Sequence, residues 1–169
     1  MVVLIVAALL AVPSFECWQP PVDAPVIDPY RAPACTWCPG NRGITYGPRA
    51  GTPVRAVASG VVSFAGLVAG TRYVVVALGD GRRVTYGNLA SGGPVAGSTV
   101  IVGQTIGRSS SQLHFGLRVG ERYVDPTPLI GAWVGRPRLI PLDGGAARPA
   151  PPPRLRCGSS SRLPAPIRR

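Results

Sequence analysis

His114 is the only histidine in this 169-residue chain, and lysine is absent altogether. Imidazole is the side chain best suited to carry protons near pH 7 or to hold a transition metal, so a single copy limits both kinds of chemistry. Without lysine there is no Schiff-base nucleophile and no carrier of lipoyl or biotinyl groups. The remaining metal-binding or redox side chains of note are Cys17, Cys35, Cys38 and Cys157. Cys35-Thr36-Trp37-Cys38 has the spacing of a zinc knuckle or a thioredoxin-type redox pair. Zinc would need further ligands, and Cys17 and Cys157 lie far from that pair in sequence. The flanks of Cys35 and Cys38 are rich in proline and offer no βαβ context for redox chemistry. Disulfides are the simpler reading in an exported chain, and the sequence leaves all three pairings open.

Export is expected from the first residues. Met1 to Val12 is apolar throughout, too short for a bilayer-spanning helix of about 20 residues but matched to the apolar region of a signal peptide. Val12 and Ser14 are spaced for cleavage before Phe15. Residues 1–14 are therefore read as a signal peptide or an N-terminal anchor, and the protein as secreted or attached to the cell envelope.

Net charge is +11, and every basic residue is arginine, a composition that suits a high-GC, actinobacterial-type genome. Basic chains bind polyanions without specificity. Aromatic content is only 7 % and no recognition motif is present, so no specific nucleic acid is expected.

Three segments differ in character. Residues 15–40 form a proline-rich arm. Residues 41–131 carry short β-forming runs: Val54–Val57, Val61–Ala65, Arg72–Leu78, Arg82–Tyr86, Thr99–Val102 and Leu113–Val119. Gly79-Asp80-Gly81 is a hairpin signal between two of them. No stretch sustains the 3.6-residue apolar period of a helix, so an all-β, antiparallel domain is expected. Residues 132–169 are low in complexity and rich in proline and arginine. They read as a disordered basic C-terminal tail that could attract anionic wall polymers by charge.

The ordered motifs of the middle segment carry a family resemblance. Gly51-Thr52-Pro53-Val54-Arg55-Ala56, continuing to Gly60-Val61-Val62, resembles the opening signature of the LytM/lysostaphin-type peptidoglycan endopeptidases. Tyr86-Gly87-Asn88-Leu89 sits where that family has Tyr-x-His-Leu. Val100, Gly103, Ile106 and Gly107 match a later turn, Leu113-His114-Phe115 falls in the His-x-His strand, and Tyr123-Val124-Asp125-Pro126 matches the closing strand. The resemblance covers about residues 40–130 and implies that family's antiparallel, duplicated β fold.

It also implies a site. Active members hold zinc through a His and an Asp of His-x-Gly-x-Asp and through the second His of His-x-His. A catalytic zinc takes three protein ligands and a water. In this chain Asn41 and Thr45 stand at the first two places and only His114 remains at the third. The family's general-base places hold Asn88 and Gln112, whose neutral amides can donate and accept hydrogen bonds but cannot exchange a proton usefully near pH 7. No metal, no cofactor and no catalytic residue is expected. Asn41, Thr45, Asn88, Gln112 and His114 become candidates for a polar ligand groove. The expected function is that of a catalytically inactive peptidase-like domain that binds peptidoglycan or regulates a cell-wall hydrolase. The alternative is an active zinc metalloendopeptidase with an unusual metal site.

Overall fold

Burial alternates with period two along Tyr73–Ala77 and Arg83–Tyr86, which puts one face of these strands in a core and leaves the other face more open. A computed structural model describes residues 16–135 and 149–158. The apolar N-terminal run and the cleavage site read from the sequence lie outside these residues.

In chain order the strands are β1 (Val26–Asp28), β2 (Gly43–Tyr46), β3 (Pro53–Arg55), β4 (Gly60–Val68), β5 (Thr71–Ala77) and β6 (Arg82–Gly92). They are followed by β7 (Thr99–Val100), β8 (Thr105–Val119), β9 (Arg122–Val124), a 3-10 turn at Thr127–Leu129, β10 (Ala132–Val134) and β11 (Arg154–Arg156). There is no α-helix among the described residues, and the main sheet is antiparallel, in the order β1-β2-β8-β6-β5-β4-β7. The all-β expectation therefore holds.

Strand β8 is the spine. Its 15 residues pair with β6 along their length, with β3 at the start, with β2 in the second half and with β9 at the end. Leu113, Phe115 and Leu117 point to the core, where they meet Val84 and Tyr86 of β6, Val74 and Val76 of β5 and Ile44 of β2. His114, Gly116 and Arg118 take the alternate positions. β6 carries a bulge against β5, where Tyr73 pairs with Gly87 and Arg72 with Leu89 so that Asn88 is extra, and a second against β8 between Leu89 and Ser91; bulges bend a strand and sharpen its twist. Asn88 is the residue at the first bulge, at φ 61°, a left-handed conformation that asparagine tolerates better than most residues.

The arm is more than a lead-in. Trp18 is buried, packs edge-on against Phe115, and is covered by the Arg82 guanidinium at 5.2 Å. Its backbone bonds to Leu129 and Gly131. β1 then pairs with β2, placing Asp28 opposite Thr45. The four cysteines form two disulfides, Cys17–Cys157 and Cys35–Cys38. The tail departs from the sequence reading in two places. β10 pairs with β11, and Cys157 is bonded back to Cys17 across a separation of 140 residues. Low local complexity says nothing about so distant a covalent link.

Gly43 fixes the register of β2 on β8. A Cβ there would meet the Phe115 carbonyl oxygen at 2.3 Å and His114 Cε1 at 2.8 Å. Gly43→Ala is expected to cost about 1–3 kcal/mol through overpacking, read as a lower midpoint in thermal or denaturant unfolding. An unchanged midpoint would contradict this packing.

Candidate functional site

The register of β2, β6 and β8 brings the site together. Thr45 and Gly87 are the direct cross-strand partners of His114, one on each side. Glycine at 43, 87 and 116 keeps this part of the sheet face bare. A Cβ on Gly87 would strike the Tyr73 ring at 2.5 Å, and one on Gly116 would lie 3.4 Å from His114 Nε2. The imidazole therefore rests on backbone, and its burial pushes the His114 pKa below the usual histidine value, with the charge of Asp28 pulling partly in the other direction.

Asp28 is the group that sequence reasoning missed. It arrives on β1, and its carboxylate is gripped by the Arg31 guanidinium three residues on. Asn41 is 7 % exposed and its amide nitrogen donates to Asp28 Oδ2 at 3.0 Å, to the Asp28 carbonyl at 3.2 Å and to Thr45 Oγ1 at 3.3 Å. The Asn41 carbonyl oxygen accepts from the Gly43 N–H at 3.3 Å. An isolated Arg31–Asn41 bridge, with hydrogen bonds of 3.0 Å in both directions, holds the arm against the start of β2. Asn41 is thus fully engaged, as a buried amide should be. The only signal in the sequence for Asp28 was an acidic residue in a proline-rich arm, which gives no indication of where it folds.

The donors gathered here are one imidazole, one carboxylate already paired with arginine, a carboxamide and a hydroxyl. No group of three or more His, Cys, Asp or Glu side chains capable of holding a metal occurs among the described residues.

The other two candidates stand apart from this network. Asn88 occupies the bulge next to Gly87, and Gln112 is exposed two residues before His114. Among the described residues neither side chain is hydrogen-bonded to Asp28, Asn41 or Thr45. The open space lies on the other side of His114, in a groove of about 550 Å³. Its floor is His114, Gly116 and Thr85, its flanks include Phe64, Tyr73 and Tyr123, and it is also lined by Arg42, Arg83 and Arg118. Of the five residues proposed from sequence to form a groove, His114 lines this one, whereas Asn41, Thr45, Asn88 and Gln112 do not.

Residues 39–126 match the model of peptidase family M23. An uncharacterised protein of Mycobacterium tuberculosis is 36 % identical over 117 residues, which is 62 % of this chain and 47 % of that protein. The chain thus spans about half the length of the curated relatives it matches. Among solved structures, Csd3 of Helicobacter pylori superposes with a TM-score of 0.60 at 27 % identity, covering 68 % of this chain and 35 % of Csd3. Lysostaphin, solved in solution by NMR, gives a TM-score of 0.57 at 25 % identity, covering 68 % of this chain and 53 % of lysostaphin.

The lone imidazole makes a clean test of this geometry. Because burial disfavours the imidazolium, the stability associated with neutral His114 is present above the ordinary histidine pKa and is lost as pH falls from there through the lower folded value. An NMR titration of the single histidine ring should show a midpoint below that of an unfolded control. Asp28→Asn should lower it further, since Asp28 is the group that favours the charged form. A midpoint unmoved or raised in Asp28→Asn would show that Asp28 does not face the imidazole.

Proposed function

This chain belongs to peptidase family M23, and from that premise we propose that it is a member that binds cell-wall peptides without cleaving them. The observation that carries the proposal is the engagement of Asn41. A hydrolytic zinc of the ordinary kind needs three protein ligands with lone pairs directed at the metal. At the corresponding spot the Asn41 amide nitrogen points a donor, not an acceptor, at Asp28 and Thr45. The Asp28 carboxylate is neutralised by Arg31. His114 is left as the sole imidazole. The donor set does not fit zinc, and no catalytic step is derived through one.

The groove supports binding. It is open, floored by a neutral imidazole and backbone, and flanked by aromatic rings and guanidinium groups. Such a mixture of stacking faces and hydrogen-bond donors suits extended peptides joined to sugars. Peptidoglycan, or a wall hydrolase acting on it, is the partner of choice, with the arginine-rich tail adding attraction to anionic wall polymers. Pairing of all four cysteines fits an oxidising compartment outside the cytosol. No helix among the described residues is long and apolar enough to cross a membrane.

Sedimentation with insoluble peptidoglycan tests the reading. The full chain should be retained above an unrelated basic protein of matched charge, and should release no soluble muropeptides or peptides. Retention no better than the control would sink the binding role. Release of fragments that stops on chelation would establish a peptidase instead.

A further inference from the structure

The groove that the preceding reading assigns to wall peptides is lined by three arginines and no carboxylate. Two of them, Arg83 on β6 and Arg118 on β8, are direct cross-strand partners. Like charges directly opposed on a sheet repel, so this pair needs an anion between it. Glu121, in the turn between β8 and β9, supplies one. One of its carboxylate oxygens accepts from Arg83 Nη2 at 2.7 Å and the other from Arg118 Nη2. The carboxylate is thereby shared, one oxygen to each guanidinium.

Glu121 is a weakly held occupant. Its side chain is 78 % exposed, and exposed ion pairs contribute little to stability. Arg118 and Arg42 are better fixed, whereas Arg83 is held by Glu121 alone among the described residues. Arg118 lies over the Tyr123 ring at 5.0 Å and Arg42 lies over the same ring at 5.9 Å. Arg42 also donates to the Thr36 carbonyl at 2.6 Å, inside the Cys35–Cys38 loop. Arg118 Nε is buried and has no hydrogen-bond partner among the described residues, so only the outer end of its guanidinium, which Glu121 holds, faces a ligand.

We propose that Arg83 and Arg118, with Arg42 beside them, form a carboxylate clamp for acidic peptides, and that Glu121 is an internal competitor which the ligand carboxylate displaces. The clamp rests on the wall-peptide reading of the groove and specifies its ligand class: a peptide with free carboxylates and an aliphatic stem. The stem would lie along Phe64, Tyr73 and Val75, which line the same groove. A carboxylate is the ligand chosen because the two guanidiniums already share one, the Glu121 carboxylate, with one oxygen to each.

The test is titration of the full chain, followed by NMR, with a soluble alanyl-γ-glutamyl-diaminopimelate tripeptide and with its fully amidated counterpart. The acid form should bind at least about tenfold more tightly, the scale of a charge-assisted hydrogen bond. Arg83→Gln and Arg118→Gln should each remove that preference. Glu121→Gln should strengthen binding of the acid form, a gain that neither misfolding nor a purely structural role for Glu121 would produce. Equal binding of the acid and amide forms, or no gain in Glu121→Gln, would overturn the clamp. So would displacement of the tripeptide by inorganic phosphate at comparable concentration, which would mark a phosphate site. If the chain still sediments with peptidoglycan while the two tripeptides bind alike, the clamp fails and the wall-binding reading stands. If it neither sediments nor binds either peptide, both fail together.

Discussion

The pairing of β2 with β8 is the constraint on which the site depends. It sets Thr45 against His114 and Gly43 against Gly116, and it can form only where residue 43 has no side chain. A shift of one residue would exchange the faces of β2, burying Thr45 in the core and exposing Ile44. Once the register is fixed, Asn41 sits at the entrance to the strand, and its amide is within reach of both Thr45 and the arm. The arm completes the arrangement because β1 continues the sheet beyond β2. Asp28 and Arg31 are then held beside Asn41 by backbone pairing as well as by charge.

The two sides of His114 differ in kind. On the β2 side lies a polar network in which Asn41, Thr45, Asp28 and Arg31 hydrogen-bond one another. In front lies an open groove whose charged lining is arginine. Charge inside the first is balanced locally, so adding a cation there would require breaking the Asp28–Arg31 pair and reversing the Asn41 amide. The Asp28–Arg31 pair is exposed and weak, but Asn41 is 7 % exposed, and turning its amide would leave buried polar groups unsatisfied. The second side has an arginine lining and a weakly held internal anion, Glu121. The proposed binding role and the proposed clamp both rest on that asymmetry.

Much of this was legible in the sequence. The strand runs and the Gly79-Asp80-Gly81 hairpin were readable because alternation and turn chemistry are local properties. The identity of the core domain followed from ordered motifs between Gly51 and Pro126. The expectation that Asn41 and Thr45 stand at family ligand places rests on position in the sequence alone. What local patterns could not show was partnership over distance. Asp28 lies in a stretch that reads as a featureless proline-rich arm, yet β-pairing carries it into the site. Cys157 lies in a stretch that reads as tail, yet it is bonded to Cys17 and follows a strand paired with Ala132–Val134. The arginine groove was missed for a related reason. Arg83 and Arg118 are 35 residues apart, and only the β6–β8 register makes them neighbours.

Asn41 as a donor to Asp28, rather than a ligand beside His114, is the central claim, and metal content measures it most directly. The full chain, purified without chelators and supplied with zinc before exhaustive dialysis, should carry far less than stoichiometric zinc. The small residue should be the same in His114→Ala. Stoichiometric zinc that is lost in His114→Ala would contradict the account.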